Sequence, residues 1–204
     1  MIAAVVLAAG KSVRMGRLKA TLPVDDFDTF LTRIIRTFDQ AGVSRTTVVL
    51  GHEADAVRAQ LDRAGVTPQV VVNPDYERGQ LSSLLAGLAA VDLPGVEAML
   101  LMLVDAPLVS ADTVRAVLGR YRETGARIVR PVRGEEHGHP VLIDRSLFDA
   151  LRHADPSRGA KPIVRAHVSA AGDVTVSDPG AFMDVDTPEE YLRVFGRPVP
   201  SAHV

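Results

Sequence analysis

The 204-residue sequence contains no cysteine, which excludes disulfide bonds, thiolate metal ligands and cysteine nucleophiles. Aromatic residues make up only 4% of the chain, so valine, leucine and alanine have to fill its core. This composition favours an α/β sheet covered by helices over an aromatic-rich β-sandwich. Without a disulfide framework, we expect a cytoplasmic protein.

Long apolar runs and basic blocks are also missing. No stretch of about 18 apolar residues exists, and the apolar N-terminal stretch has no basic leader, so we expect neither a membrane span nor a signal peptide. The net charge of −2 lacks the basic footprint of a nucleic-acid binder. The length suits one domain over residues 1–204.

Strand and helix patterns alternate along the chain, which predicts an α/β fold. Apolar runs predict strands at 2–9, 46–50, 70–72, 98–104, 128–131, 140–143, 174–176 and 182–185, with 140–143 pairing antiparallel. Helical spacing predicts helices at 28–42, capped by Asp28, and around 57–61, 81–88, 114–121 and 147–151. Thr187, Pro188 and Glu190 indicate the start of a last helix, and 157–162 is predicted as a loop.

The segment after the first strand is the most informative one. Gly10 and Gly16 frame a turn that carries Lys11, Arg14 and Lys19. Glycines allow backbone N–H groups to approach an anion, and the cations neutralise further charge, so this turn is suited to phosphate. An ordinary turn with surface cations is the alternative.

Two better-known phosphate motifs do not fit this turn. The sequence Gly10-Lys11-Ser12 resembles the end of a Walker A loop, but Val5 stands where that loop requires its first glycine. The dinucleotide pattern G-x-G-x-x-G is also absent after the first strand.

Ligands of open parallel sheets gather at the carboxyl ends of strands, and three further polar features lie at such ends. Asp105 follows the most apolar strand, a position suited to a Mg²⁺ ligand, although a turn-forming role before Pro107 is the alternative. Asp184 and Asp186 each offer a second carboxylate, with helix capping as the alternative for Asp186. The segment from Asn73 to Ser83 is a glycine-bearing turn into a helix that carries two hydroxyl groups.

Of the histidines, His139 in Gly138-His139-Pro140 has the strongest claim to function. It is suited to binding a phosphorylated or sulfur-rich substrate or to moving a proton, and a structural role at the turn is the alternative. His52 and His137 are interpreted as surface residues.

Together these motifs resemble a known family. The segments 7–16, LAAGKSVRMG, and 19–23, KATLP, resemble the signature LAAGxSxRMGxxKxLLP of the MobA-like nucleotidyltransferases. Asn73-Pro74, Gly79, Ser83, DAPL at 105–108, GHPV at 138–141 and DVDTPE at 184–189 resemble its molybdenum cofactor cytidylyltransferase branch. The matches run in order from about residue 3 to residue 192.

The resemblance implies a three-layer α/β/α, Rossmann-like sheet of glycosyltransferase-A type and assigns roles to individual residues. Lys19, Arg14 and Asp105 would be catalytic, and Mg²⁺ would bind Asp105 with Asp184 or Asp186. The binding positions for nucleotide and acceptor would be Leu7, Ala8, Ala9, Gly10, Lys19, Asn73, Gly79, Ser83 and His139.

The implied reaction transfers CMP from CTP to molybdopterin and releases pyrophosphate, with a molybdenum enzyme as a possible client. Two alternatives stay open. One is a related transferase that uses GTP or another phosphorylated acceptor, and the other is a non-catalytic chaperone that delivers the cofactor.

Overall fold

The N-terminal half of the protein forms a parallel sheet in the computed structural model, which describes residues 1–200. Strand β1 (Ile2–Ala8) pairs in parallel with β2 (Thr46–Leu50) on one side and β4 (Ala98–Leu103) on the other. Strand β3 (Gln69–Val72) continues the parallel pairing beyond β2. Burial on both faces explains why β1 and β4 are continuous apolar runs and why β2 is buried along its whole length.

The C-terminal half adds antiparallel pairing to the same eight-stranded sheet. Strand β7 (Val141–Asp144) lies antiparallel between β4 and β5 (Ile128–Arg133), as the sequence predicts. The short strands β6 (Glu136–His137) and β8 (Asp173–Thr175) both pair with β5. Strand β6 was not predicted, because two polar residues carry no periodicity.

Helices cover both faces of this mostly parallel sheet. They are α1 (Phe30–Gln40), α2 (Ala54–Ala64), α3 (Gln80–Val91), α4 (Ala111–Thr124), α5 (Phe148–Arg152), α6 (Lys161–His167) and α7 (Pro188–Phe195). Alternate residues of β1 face opposite layers: Val6 packs with α1, α2 and α4, and Val5 packs with α3, α5 and α6. The predicted three-layer α/β/α architecture is confirmed.

A separate apolar cluster joins the segment after β1 to helix α7. Its buried members are Met15, Leu22, Phe30, Val185 and Tyr191. The rings of Phe30 and Tyr191 stack at 6.1 Å, and the Tyr191 hydroxyl donates to the Pro23 carbonyl at 2.6 Å. This cluster, called the buttress below, fixes the glycine-framed turn against the C-terminal helix.

Three local predictions were wrong or incomplete. Thr29, not Asp28, is the N-cap of α1, because the buried Asp28 carboxylate instead pairs with Arg33 at 2.9 Å and Arg36 at 3.0 Å. The predicted loop at 157–162 overlaps the first turn of α6, which begins at Lys161.

The predicted strand at 182–185 is a 3-10 turn over Pro179–Phe182 followed by irregular chain. The Asp178 carboxylate accepts from the Gly180 N–H at 2.9 Å and stabilises that turn, while Pro179 has no N–H to donate to a sheet. Within residues 1–200, no helix has both the length and the apolar character needed to cross a membrane.

Candidate active site

A cavity of about 350 Å³ opens at the carboxyl ends of β1 and β4. This is the edge at which an open parallel sheet collects its ligands. The predicted site residues among those that line the cavity are Leu7, Ala8, Ala9, Gly10, Arg14, Lys19, Gly79, Ser83, Asp105 and Asp186.

The turn after β1 is held in one conformation by its own hydrogen bonds. Ser12 has a left-handed φ of 53°, and its carbonyl accepts from the N–H groups of Met15 and Gly16 at 3.0 and 3.1 Å. Gly16 has a φ of 71°, a conformation in which glycine is favoured. The Ser12 hydroxyl accepts from the Lys19 N–H at 3.1 Å, and Met15 is buried in the buttress. The turn therefore presents its cations from a fixed frame.

Lys19 lies between two carboxylates at the centre of the cavity. Its ammonium group is 3.4 Å from Asp105 Oδ2 and also contacts Asp186 Oδ1. Arg14 donates to the other oxygen of Asp186 at 2.8 Å. Lys19 is only 7% exposed, whereas the Arg14 side chain is 71% exposed. Lys19, from the turn after β1, and Asp105, which follows β4, thus contact each other in one cavity.

Backbone contacts explain how the distant Asp186 reaches this cavity. The Val185 N–H donates to the Asp105 carbonyl at 2.8 Å, which fastens the segment before α7 to the end of β4. The Asp186 N–H donates to Glu190 at 2.7 Å, while Thr187 caps the helix as predicted. The Asp186 carboxylate itself is thereby available to Lys19, so the capping alternative for Asp186 is wrong.

The cations around Asp186 determine its charge. Burial alone would raise the pKa of this carboxyl, but the hydrogen bond and positive charge of Lys19, together with Arg14, lower the pKa below its ordinary 3.8. Asp186 is therefore ionised across the physiological range.

Asp184 and His139 are in a different environment. Burial raises the pKa of Asp184, and the negative charge of Asp105 raises it further, against the opposing effect of His139. Burial lowers the pKa of His139, although Asp184 and Asp105 oppose that shift. Asp184 thus lies in the field of Asp105, but it does not line the first cavity.

Two buried polar atoms beside this cluster have no partner. Asp105 Oδ1 and His139 Nδ1 are buried without a hydrogen bond to any described residue. No group of three or more His, Cys, Asp or Glu side chains within residues 1–200 is arranged to hold a metal. The carboxylates of this region, Asp105, Asp184 and Asp186, could thus hold an ion only as one or two ligands, a number that suits an ion such as Mg²⁺, which completes its shell with phosphates and water.

A second cavity of about 670 Å³ adjoins the first. Both cavities are lined by Leu7, Gly79 and Leu103, so they lie side by side. His139 lines the second cavity, and among the described residues that line it none is acidic. Its basic residues are Arg78, Arg130, His137, His139, Arg158, Lys161 and Arg165. The arrangement can accept an anionic molecule next to the Lys19 cluster.

The structure changes the expectation for Asn73. This residue is 4% exposed and does not line either cavity. Its Oδ1 accepts from the Asp75 N–H at 3.0 Å, and its Nδ2 donates to the hydroxyls of Ser82 and Ser83 at 2.9 and 3.1 Å. Asn73 therefore orients Ser83, which does line the first cavity, and does not contact a ligand there itself.

Sequence reasoning missed several lining residues and misplaced one cation. Lys11 pairs with Glu77 and does not line the first cavity. The basic residues Arg158 and Lys161 fall in the predicted loop at 157–162, and Arg165 follows it. The signal that was available is their spacing, which places three cations within eight residues.

Comparisons with known proteins agree with this geometry. The family model described as the MobA-like NTP transferase domain matches residues 4–171. Nicotine blue oxidoreductase of Paenarthrobacter nicotinovorans is 33% identical over 201 residues, which cover 95% of this chain and 96% of that protein. Molybdenum cofactor cytidylyltransferase of Escherichia coli is 27% identical over 191 residues, which cover 92% of each chain.

Among solved structures, Rv0371c of Mycobacterium tuberculosis H37Rv has a TM-score of 0.78 and 33% identity, with 96% of this chain and 97% of that chain covered. A structure of Rv0371c in complex with manganese has a TM-score of 0.71 and 30% identity, with 96% and 98% covered.

The Rossmann-like sheet and its strand-end cluster of cations and carboxylates define a nucleotidyltransferase. The chain belongs to the MobA-like NTP transferase family, as the motifs in the sequence predicted.

Proposed function

We propose that this nucleotidyltransferase transfers CMP from CTP to the terminal phosphate of a molybdopterin-type acceptor and releases pyrophosphate. The observation that carries the proposal is the meeting of Lys19 with Asp105 and Asp186 in the cavity at the strand ends. The molybdenum cofactor cytidylyltransferase relative, which is matched over 92% of this chain, supports the choice of CTP and of the acceptor.

The first cavity is the proposed nucleotide site. Its volume of about 350 Å³ lies within the range of small-molecule pockets. The turn from Ala8 to Gly16, with Lys19 and Arg14, would bind the triphosphate, and Gly79 and Ser83 would contact the base. The family resemblance implies these roles, and the position of all these residues on the cavity lining and the positive charge of Lys19 and Arg14 support them.

The proposed metal ion is Mg²⁺, held by Asp105 with Asp184 or Asp186. When bound, it supplies positive charge to phosphate oxygens and to the leaving pyrophosphate. The unpartnered Oδ1 of Asp105 and the raised pKa of Asp184 both support a cation at this position, since a positive charge would satisfy these two carboxylates.

The second cavity is the proposed acceptor site. Its basic lining suits a phosphorylated acceptor, and its position next to the first cavity would bring that phosphate towards the nucleotide. An acceptor phosphate attacks the α-phosphorus in line and displaces pyrophosphate, so the protein needs no nucleophile of its own. Lys19 and Arg14 would stabilise the charge on the transferring group by position alone.

The test is pyrophosphate release from a panel of nucleoside triphosphates, acceptors and divalent ions. We expect turnover with CTP, Mg²⁺ and a molybdopterin-type acceptor. Lys19→Ala should slow turnover about 10²–10³-fold, the effect of losing one preorganised electrostatic donor. Arg17→Ala is the matched control, because Arg17 lies in the same segment, donates to the Pro200 carbonyl at 3.0 Å and does not line the first cavity.

If the protein turns over only with GTP, or only with a different acceptor, the proposed substrates are wrong but the reaction class, nucleotidyl transfer, is retained. Tight acceptor binding without pyrophosphate release from any combination would support a chaperone that delivers cofactor to a client molybdenum enzyme. The cytoplasmic location expected from the sequence stays a prediction.

A further inference from the structure

The contacts of Lys19 raise the question of how a divalent ion reaches Asp105 and Asp186. The same ammonium group touches Asp105 and Asp186, two of the three carboxylates proposed to hold the ion. While Lys19 holds Asp105 Oδ2 and Asp186 Oδ1, an ion at the unpartnered Asp105 Oδ1 meets the repulsion of the nearby ammonium charge, and an ion at the other two oxygens has to displace Lys19.

We propose that Lys19 is an internal counter-cation that competes with the divalent ion, so that the ion binds well only together with a triphosphate. The triphosphate offers Lys19 a different partner and frees the carboxylates. This inference rests on the proposed function for the identity of that partner.

The local structure leaves Lys19 few other partners. Its backbone is fixed by the Ser12 hydroxyl and by the 3-10 turn over Lys19–Thr21, and the residue is 7% exposed. The ammonium group therefore cannot exchange the carboxylates for bulk water without a large movement of the chain. An anion in the cavity is the partner within its reach, since Lys19 itself lines that cavity.

The charges of the cluster also favour competition between Lys19 and a divalent ion. Asp105 and Asp186 are balanced by Lys19 and by Arg14, which pairs with Asp186. At the oxygens of Asp105 and Asp186 that Lys19 and Arg14 contact, a divalent ion alone would add two positive charges beside two cations, which is unfavourable where water screens poorly. A triphosphate brings negative charge that offsets both the ion and the displaced lysine. Arg14 is mostly exposed, so solvent weakens its effect relative to that of Lys19.

The test measures Mn²⁺ binding in the absence of nucleotide, by electron paramagnetic resonance titration. Lys19→Met should bind Mn²⁺ at least about tenfold more tightly than the wild type, since one charge within 4–6 Å changes the cation affinity of a carboxylate by that order or more. In buffer containing EDTA, the same variant should bind CTP more weakly than the wild type. Arg17→Met should match the wild type in both assays.

A result in which Lys19→Met binds Mn²⁺ no more tightly than the wild type would overturn the inference. A wild type that binds Mn²⁺ but not CTP would instead contradict the proposed function, while the Mn²⁺ comparison would still decide the competition. Thus the two failures are distinguishable.

Removing Lys19 leaves two carboxylates without their main partner, so the variant is expected to be less stable. Lys19→Gln keeps a hydrogen-bond donor without the charge and provides a second variant. For either variant, Mn²⁺ alone should raise the melting temperature more than it does in the wild type. An equal or smaller increase in both variants would count against competition between Lys19 and the metal.

Discussion

Ser83→Ala tests the proposed nucleotide site through a hydrogen-bond network of known direction. The backbone N–H of Asp75 can only donate, so the atom of Asn73 that it meets is the amide oxygen, and the amide nitrogen faces Ser82 and Ser83. The Ser83 hydroxyl therefore accepts from Asn73. Among the described residues, no hydrogen bond uses its own hydrogen, which is available to the first cavity. We infer that Ser83 acts there as a donor to the base.

The expected magnitude follows from one net hydrogen bond, which contributes about 0.5–1.5 kcal/mol. Ser83→Ala should therefore weaken CTP binding by about two- to tenfold. The protein itself should also lose about 1–3 kcal/mol of stability, because one Nδ2 hydrogen of the buried Asn73 loses its acceptor while the other keeps its 2.9 Å hydrogen bond to Ser82. Binding of inorganic tripolyphosphate should not change, since Ser83 would contact only the base.

Isothermal titration of CTP and of tripolyphosphate separates these effects. Ser82→Ala is the matched control, because the Ser82 hydroxyl accepts from the same Asn73 amide and does not line the first cavity. Its single hydrogen lies within reach of the carbonyls of Gly79 at 2.8 Å and Asp75 at 2.9 Å. An equal loss of affinity for both ligands, or unchanged CTP binding in Ser83→Ala, would refute the base contact.

Two further predictions concern stability. Gly87→Ala should lower the free energy of unfolding by about 1–3 kcal/mol, because a Cβ at Gly87 would lie 2.5 Å from Val5 Cγ1. Gly119→Ala in α4 should instead raise the free energy of unfolding by about 0.5–1 kcal/mol, because a Cβ there would have no atom within 4 Å. Thermal melts giving shifts of the same sign would contradict this. Burial raises the pKa of Asp178, but hydrogen bonds from Ser110 and Thr113 hold this pKa below its ordinary 3.8. The ionised Asp178 carboxylate should therefore stabilise the fold at neutral pH, and this stabilisation should be lost below about pH 3.8. In urea titrations, the advantage of the wild type over Asp178→Asn should shrink in acid, and a constant difference would contradict the linkage.

The sheet could be predicted from the sequence because strands that are buried on both faces consist of continuous apolar runs. Residues 2–9 and 98–104 are nearly all apolar, and the structure places β1 and β4 side by side in the centre. The end of α1 just before Gly42 and the capping box at Thr187 could be predicted for a similar reason, since each depends on a few neighbouring residues. The strand predicted at 182–185 failed because Asp178, a residue outside that window, stabilises a turn there.

The candidate site was predictable only in part. Lys19 and Asp105 stand out because each follows a recognisable strand, but nothing local shows whether Asp184 or Asp186 meets them. That choice is decided by a long-range contact, the Val185 N–H to the Asp105 carbonyl. Asn73 and Lys11 were misjudged for the same reason, because the direction of a polar side chain depends on partners such as Ser82 and Glu77.

The buttress has a consequence for the order of events during synthesis. Lys19 and Asp186 are separated by 167 positions in the sequence, and Tyr191 closes the cluster that supports the turn around Met15. A nascent chain therefore exposes most of its sheet before the last ligand of the cavity has left the ribosome. The contact between Lys19 and Asp186 can form only once the segment that carries Asp186 and the adjoining helix α7 have been synthesised, so we expect partly made chains to lack the proposed nucleotide site.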